Sequence, residues 1–97
     1  MSTLKIISVT DFCSHYKVNF SFIESLSELD LIKTKVIDNQ LHIPIKEIRT
    51  IEKLMRLHYD LGINFEGLDV INNLIDQIQS MQEKIQLLEN KVAFYKY

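Results

Sequence analysis

The stretch TDFCSHYKVNFSFIESLSEL, residues 10–29, has the pattern of two short helices joined by a tight turn. Thr10 is the predicted N-cap of the first helix, which we expect to end at about Tyr16. A second helix is expected over residues 20–29. The apolar residues at helical spacing predict one buried stripe: Phe12, Phe22, Ile23, Leu26 and Leu29. Two short helices around a tight turn outline a helix-turn-helix.

Short β-type segments flank the helical pair. Residues 4–9, LKIISV, form a β-branched run that predicts an edge strand before the first helix. After the second helix, residues 32–36 and 41–43 lie on either side of a turn at Asp38 and Asn39, which predicts a small hairpin, or wing. The expected headpiece therefore combines a helix-turn-helix with a little β-structure.

A third helix is expected to begin at Pro44, because a proline suits the first turn of a helix. It should end near Asp60, with Gly62 as its C-cap. Its apolar side is predicted to contain Ile45, Ile48, Ile51, Leu54, Met55 and Leu57. Asn64 then caps a long final helix.

The final helix has a clear heptad pattern of apolar residues. Position a holds Ile71, Ile78, Ile85 and Val92, and position d holds Leu74, Met81, Leu88 and Tyr95. No other helix of matching length is expected in the chain, so we expect a second copy to cover this stripe in a homodimeric coiled coil. The other possibility is that the helix folds back on its own headpiece, which would bury only part of its ~40 Å length. The direction of the coiled coil stays open.

These expectations divide the chain into a headpiece, residues 1–63, and a dimerisation helix, residues 64–97. The fold class is mainly α, with a small β wing.

The net charge of the chain is −2, and its first fifty residues contain six Lys and Arg against six Asp and Glu. A DNA-binding domain of this size normally has a basic excess, so the balance argues against nucleic acid.

Catalytic and metal sites are not expected. Cys13 and His15 are two residues apart, which places them on different faces of a helix and is too little for zinc. Cys13 is instead expected to be a small buried residue. No nucleophile–base arrangement or phosphate-binding glycine loop is present, so we expect neither an enzyme nor a cofactor. With one cysteine, no secretory signal and no long apolar run, the expected location is the cytoplasm.

The order of these elements resembles the MerR superfamily of winged-helix regulators. More closely, the chain resembles the CbpM-type chaperone modulators, small MerR-like proteins that bind and inhibit a DnaJ-like co-chaperone. The similarity covers nearly the whole chain. It is carried by Asp11-Phe12-Cys13, Glu28-Leu29-x-Leu31-Ile32, Arg56-Leu57-x-x-Asp60-Leu61-x-Ile63-Asn64-Phe65-x-Gly67-Leu68 and Leu74-Ile75-Asp76-x-Ile78.

The resemblance implies that this chain lacks the residues with which DNA-binding relatives contact DNA. Where DNA-binding relatives have an arginine followed by tyrosines, this sequence has Glu24, Ser25 and Leu26, and a carboxylate repels phosphate. In place of the usual Gly-Tyr-Arg type segment of the wing stand Gln40, Leu41 and His42.

The family's target is a J-domain, whose Hsp70-docking helix is basic. A regulator that masks this helix should present acidic and apolar groups. The predicted partner-binding residues are Asp11, Glu24, Glu28 and Asp30, with Tyr16 and Phe20 as candidate apolar anchors.

Two other functions stay open at this point. A DNA-binding transcriptional regulator would need a basic surface stripe formed by Lys17, Lys33, Lys35 and Lys46. A small-molecule sensor would need a defined apolar cavity between the headpiece and the coiled coil.

Overall fold

The computed structural model describes residues 5–96 of the chain, and its mainly α architecture with a small sheet confirms the predicted fold class. Four helices surround or extend from one antiparallel three-stranded sheet. The elements are β1 (Ile6–Ser8), α1 (Val9–Tyr16), α2 (Phe20–Glu28), β2 (Lys35–Ile37), β3 (Gln40–Pro44), a 3-10 turn (Ile45–Glu47), α3 (Ile48–Met55), a π-helical turn (Arg56–Asp60) and α4 (Phe65–Lys96).

The predicted helix-turn-helix is confirmed, but its N-cap is Ser8 rather than Thr10. The Ser8 hydroxyl accepts a hydrogen bond from the Asp11 backbone N–H at 3.1 Å. The extended backbone of Ser8 suits both the end of a strand and an N-cap, so α1 begins at once with the buried Val9. The helix ends at Tyr16, and the left-handed backbone of the capping residue Lys17 (φ 57°) turns the chain toward α2.

The end of α2 is a Schellman motif centred on Asp30. Asp30 is left-handed (φ 58°), its N–H donates to the Ser27 carbonyl at 3.1 Å, and the Leu31 N–H donates to the Leu26 carbonyl at 2.9 Å. This reversal directs Leu31 and Ile32 into the core. Leu29, which we predicted in the buried stripe, is 38% exposed, because the chain turns at this point and Leu31 packs inward instead.

The sheet has the order β1-β3-β2, so the first strand is an edge strand as predicted. Leu4, the first residue of that prediction, lies outside the described residues. Left-handed backbone at Asp38 (φ 51°) and Asn39 (φ 62°) makes the predicted two-residue turn, of the I′ type that hairpins favour. The prediction that the preceding strand starts at Ile32 is wrong: Ile32 is a core residue, and pairing starts at Lys35 opposite His42.

A single apolar core joins the helices to the sheet. It consists of Val9, Phe12, Phe22, Ile23, Leu26, Leu31, Ile32, Ile43, Ile51, Leu54 and Leu68. In the third helical segment Ile51 and Leu54 are fully packed, whereas Ile45 is exposed because it lies in the 3-10 turn that precedes α3. Gly62 has the left-handed backbone (φ 67°) expected of a residue that follows a helix.

The start of α4 is fixed to the headpiece. The Asn64 side chain accepts a hydrogen bond from the Gly67 N–H at 2.8 Å, which confirms the predicted cap. One turn later, Leu68 is completely buried in the headpiece core. The His58 ring stacks on Phe65 with centroids 4.8 Å apart, and its Nδ1 lies 2.8 Å from the Ile63 carbonyl. A carbonyl only accepts, so Nδ1 carries the proton of this bond.

Candidate functional site

The outward face of α2 carries carboxylates and one aromatic ring. Phe22, Ile23 and Leu26 turn inward and are buried. The exposed positions of the helix are Phe20, Ser21, Glu24 and Glu28. Because residues four apart lie on one side of a helix, Glu24 and Glu28 share a face. The helix contains no Lys or Arg, so the only charges on this face are the two carboxylates in its middle and last turns.

The two other predicted acidic residues lie on different elements. Asp30 follows α2 directly in its left-handed C-terminal turn, which places it beside the end of the helix that bears Glu28. Asp11 lies in the first turn of α1, where its backbone N–H bonds to Ser8. All four side chains are exposed. The structure thus groups three of them around α2 and puts Asp11 on the neighbouring helix.

Tyr16 is a packing residue, whereas Phe20 remains available as an anchor. The Tyr16 ring stacks on Phe12 with centroids 4.3 Å apart, and its hydroxyl donates to Glu52 Oε2 at 3.0 Å. This hydrogen bond, with burial and the charge of Glu52, raises the pKa of Tyr16 above its ordinary value. Phe20 begins α2 and is 47% exposed, so an aromatic surface adjoins the acidic face.

Three of the four lysines named for the alternative DNA-binding surface converge on one cavity. Lys33, Lys35 and Lys46 line a cavity of about 360 Å³ at the base of the β2–β3 hairpin. Its other lining residues are Ser27, Asp30, Ile32, Thr34 and Pro44. Lys17 lines a separate depression beside Tyr16 and Tyr59, so it does not extend this group. Sequence reasoning named these lysines without finding the cavity, because only the fold brings Lys46 beside the residues that follow α2.

Cys13 and His15 point to different surroundings on α1. Cys13, predicted to be a small buried residue, is half-buried against the core, and this burial raises the pKa of its thiol. The His15 ring packs edge-on against Tyr16, with centroids 5.1 Å apart. Across the part of the chain that the structure describes, no three His, Cys, Asp or Glu side chains are grouped so as to hold a metal ion. Among the same residues, no helix combines the length and apolar character needed to cross a membrane.

The heptad stripe of α4 is exposed along most of its length. Ile71, near the headpiece, is half-buried. The other side chains of the stripe are Leu74, Ile78, Met81, Ile85, Leu88, Val92 and Tyr95, and their exposure rises from 50% at Leu74 and Ile78 to 82% at Tyr95. An apolar row of this length is much more than scattered surface residues, and a row of this kind marks an interaction surface.

The order of the helices and strands agrees with a comparison against known families. The profile of the family described as MerR HTH family regulatory protein matches residues 7–90. The chain belongs to this family. The match covers 84 of the 97 residues and includes the helix-turn-helix, the hairpin, α3 and most of α4. Among curated proteins, no sequence matches the chain.

Within a MerR-family fold, the acidic α2 occupies the second helix of the helix-turn-helix. In helix-turn-helix proteins that bind DNA, this helix enters the major groove. Here its exposed side presents Glu24 and Glu28. Two carboxylates would face a polyanion without a compensating lysine or arginine on the same helix, which is unfavourable for DNA binding by that helix.

Proposed function

We propose that this MerR-family chain is a chaperone modulator that binds the J-domain of a DnaJ-like co-chaperone and inhibits it by masking its Hsp70-docking surface. The proposal builds on the resemblance to the CbpM-type modulators. The observation that carries it is the exposed face of α2, which has two carboxylates, an aromatic ring and no basic residue. The chain would act by binding in the cytoplasm, without catalysis and without a cofactor.

Charge complementarity supports this choice of partner. The docking helix of a J-domain is basic, and opposite charges across an interface accelerate encounter and fix the register of the complex. Glu24 and Glu28 lie one turn apart on α2, with Asp30 immediately beyond. Phe20, at the other end of the same helix, offers the apolar contact that charged pairs alone do not supply.

The test is a calorimetric titration of the full chain against J-domain co-chaperones. The double variant Glu24→Lys/Glu28→Lys should bind at least about tenfold more weakly, because attraction becomes repulsion at two positions. A matched control, Asp76→Lys/Glu83→Lys, makes the same change in net charge at exposed positions of α4. We expect the control to retain binding within about twofold, since rim and remote charges contribute little.

Three results would contradict the proposal. One is no J-domain binding by the natural chain. The second is undiminished binding by the α2 variant, which would show that its acidic face is not used. The third is an equal loss in both variants, which would reduce the effect to net charge.

We also propose that α4 forms a homodimeric coiled coil. Its support is the exposed a/d stripe from Leu74 to Tyr95, which has the spacing that a second helix covers by knobs-into-holes packing. Dimerisation would place two headpieces on one stem and so give each dimer two acidic faces.

DNA binding is the second candidate function, and the three lysines at the hairpin favour it. Such binding would weaken steeply with salt, because each lysine that contacts a phosphate releases a counterion. Electrophoretic mobility with duplex DNA at two salt concentrations distinguishes this function from J-domain binding.

A further inference from the structure

The cavity at the base of the hairpin combines positive charge with hydroxyl groups. Lys33 belongs to the segment after α2, Lys35 to the start of β2, and Lys46 to the 3-10 turn after β3. Ser27, in the last turn of α2, and Thr34 line the same space. The core residue Ile32 and the buried Pro44 also line it, so the cavity rests on the packed interior of the headpiece.

The local charge is positive although the whole chain is acidic. Three lysines and one aspartate, Asp30, line the cavity, so its lining has a formal net charge of +2. Glu47 lies next to it, with its Oε1 accepting from the Lys33 backbone N–H at 3.3 Å, and counting it leaves +1. The surplus suits an anion, and lysine ammonium groups are frequent ligands of phosphate.

The hydroxyl groups of Ser27 and Thr34 together offer one hydrogen-bond donor to an anion. The Ser27 Oγ and Thr34 Oγ1 atoms are 2.9 Å apart and share one hydrogen bond. Because each hydroxyl has one proton, the bond uses one of the two, and the second proton can be donated to an oxygen in the cavity. An anion with several oxygens would accept this bond as well as those of the lysines.

Two backbone carbonyls at the end of α2 already have hydrogen-bond partners. The Leu26 and Ser27 carbonyls are already bonded to the Leu31 and Asp30 N–H groups of the Schellman motif. Asp30 is the one carboxylate among the lining residues, and its charge opposes the binding of an anion there.

We infer that this cavity binds a small anion bearing one or two phosphoryl groups. A compact anion fits better than a nucleic acid backbone, because a duplex laid across the lysines would also approach Glu28, Asp30 and the rest of the acidic α2. A volume of about 360 Å³ is within the range of small-molecule sites. The cavity shares Asp30 with the J-domain surface proposed above, but Glu24 and Glu28 do not line it and its three lysines are not part of that surface, so variants of the two sets distinguish the proposals.

The test is a titration of the full chain with sodium pyrophosphate at constant ionic strength, followed by amide chemical shifts. Saturable shifts should centre on Ser27, Thr34 and the lysines of the cavity. The triple variant Lys33→Gln/Lys35→Gln/Lys46→Gln should bind at least about tenfold more weakly. The control variant Lys17→Gln/Lys53→Gln/Lys84→Gln removes the same charge at exposed positions that do not line the cavity, and it should bind within about twofold of the natural chain.

A variant that should strengthen pyrophosphate binding complements the lysine variants. Asp30→Asn removes the carboxylate that repels an anion, and asparagine tolerates the left-handed backbone at this position. We expect it to bind pyrophosphate about threefold more tightly. A dispersed amide spectrum and an unchanged unfolding temperature verify that each variant is folded.

Several outcomes would overturn the inference. Shifts that do not saturate, or an equal loss of binding in both lysine variants, would reduce the effect to general charge screening. Weaker binding by the Asp30 variant would contradict the electrostatic argument. Duplex DNA that shifts these same residues while pyrophosphate shifts none would assign the lysines to a nucleic acid interface instead.

Discussion

The homodimer proposal makes a quantitative prediction at Ile85, the third a position of the heptad stripe. Ile85 is 55% exposed in the single chain. Complete burial of such a side chain is worth about 1.5–3 kcal/mol, so covering the exposed part contributes about 0.8–1.7 kcal/mol per protomer. The substitution acts on both protomers, and alanine retains one carbon. We therefore expect Ile85→Ala to cost about 1.2–2.5 kcal/mol per dimer, which raises the dimer dissociation constant about eight- to seventyfold.

Sedimentation equilibrium measures this constant, and the chain offers a matched control. Glu83→Ala changes an exposed f position on the same helix, away from the stripe, and should leave the constant within about twofold. Alanine favours helix in both variants, so neither should shorten α4. A dissociation constant that Ile85→Ala leaves unchanged would refute the reasoning, as would equal weakening by Glu83→Ala. A natural chain that stays monomeric at high concentration would refute the dimer itself.

Three further predictions concern local backbone and side-chain chemistry. Asn39→Gly should raise the free energy of unfolding by about 0.5 kcal/mol in urea melts, because glycine adopts the left-handed turn conformation without strain; a loss would contradict the I′ turn. Gly67→Ala should lower it by about 1–2 kcal/mol despite better helix propensity, because a Cβ there would lie 2.7 Å from Ile63 Cγ2 and crowd the Asn64 cap; a gain would contradict this packing. The pKa of Tyr16 is raised above 10.0, so its stabilising bond is complete below pH 10 and is lost as pH rises through the raised value. The stability difference between the natural chain and Tyr16→Phe in urea melts should therefore shrink above pH 10, and a difference that grows would contradict the sign.

The sequence predicted the features that depend on neighbouring residues. The Asp38-Asn39 turn, the Asn64 cap and the left-handed Gly62 are each determined by a few adjacent positions, and all three are confirmed. The heptad pattern correctly placed a long helix over residues 71–95.

The wrong predictions share a different cause, which is competition between residues for the same role. Ser8 and Thr10 are both good N-caps. Because β1 pairs with β3 as far as Ser8, the helix begins directly after Ser8, and Ser8 is the N-cap. Ile32 suits a strand by propensity, yet the Schellman turn at Asp30 places it in the core. These outcomes depend on tertiary contacts, which local patterns do not contain.

The candidate sites depend even more on the fold. A helical repeat is enough to place Glu24 and Glu28 on one face of α2. The lysine cavity is different, because Lys46 reaches Lys33 and Lys35 only after the hairpin has folded back beside α2. The sequence could name these lysines as an alternative surface, but their grouping required the sheet.

The net charge of −2 therefore describes neither candidate surface. Acidic groups occupy α2 up to Glu28, while the surplus of lysines begins only a few residues later, beyond Asp30. A basic partner helix and a small phosphoryl anion would each find a complementary surface, whereas a long polyanion spanning both would gain at the lysines and lose along α2. The placement of the two charge groups on different elements, with Glu24 and Glu28 on α2 and the lysines at the hairpin, is what distinguishes the proposed binding activities. Testing Glu24 and Glu28 independently of Lys33, Lys35 and Lys46 follows directly from that separation.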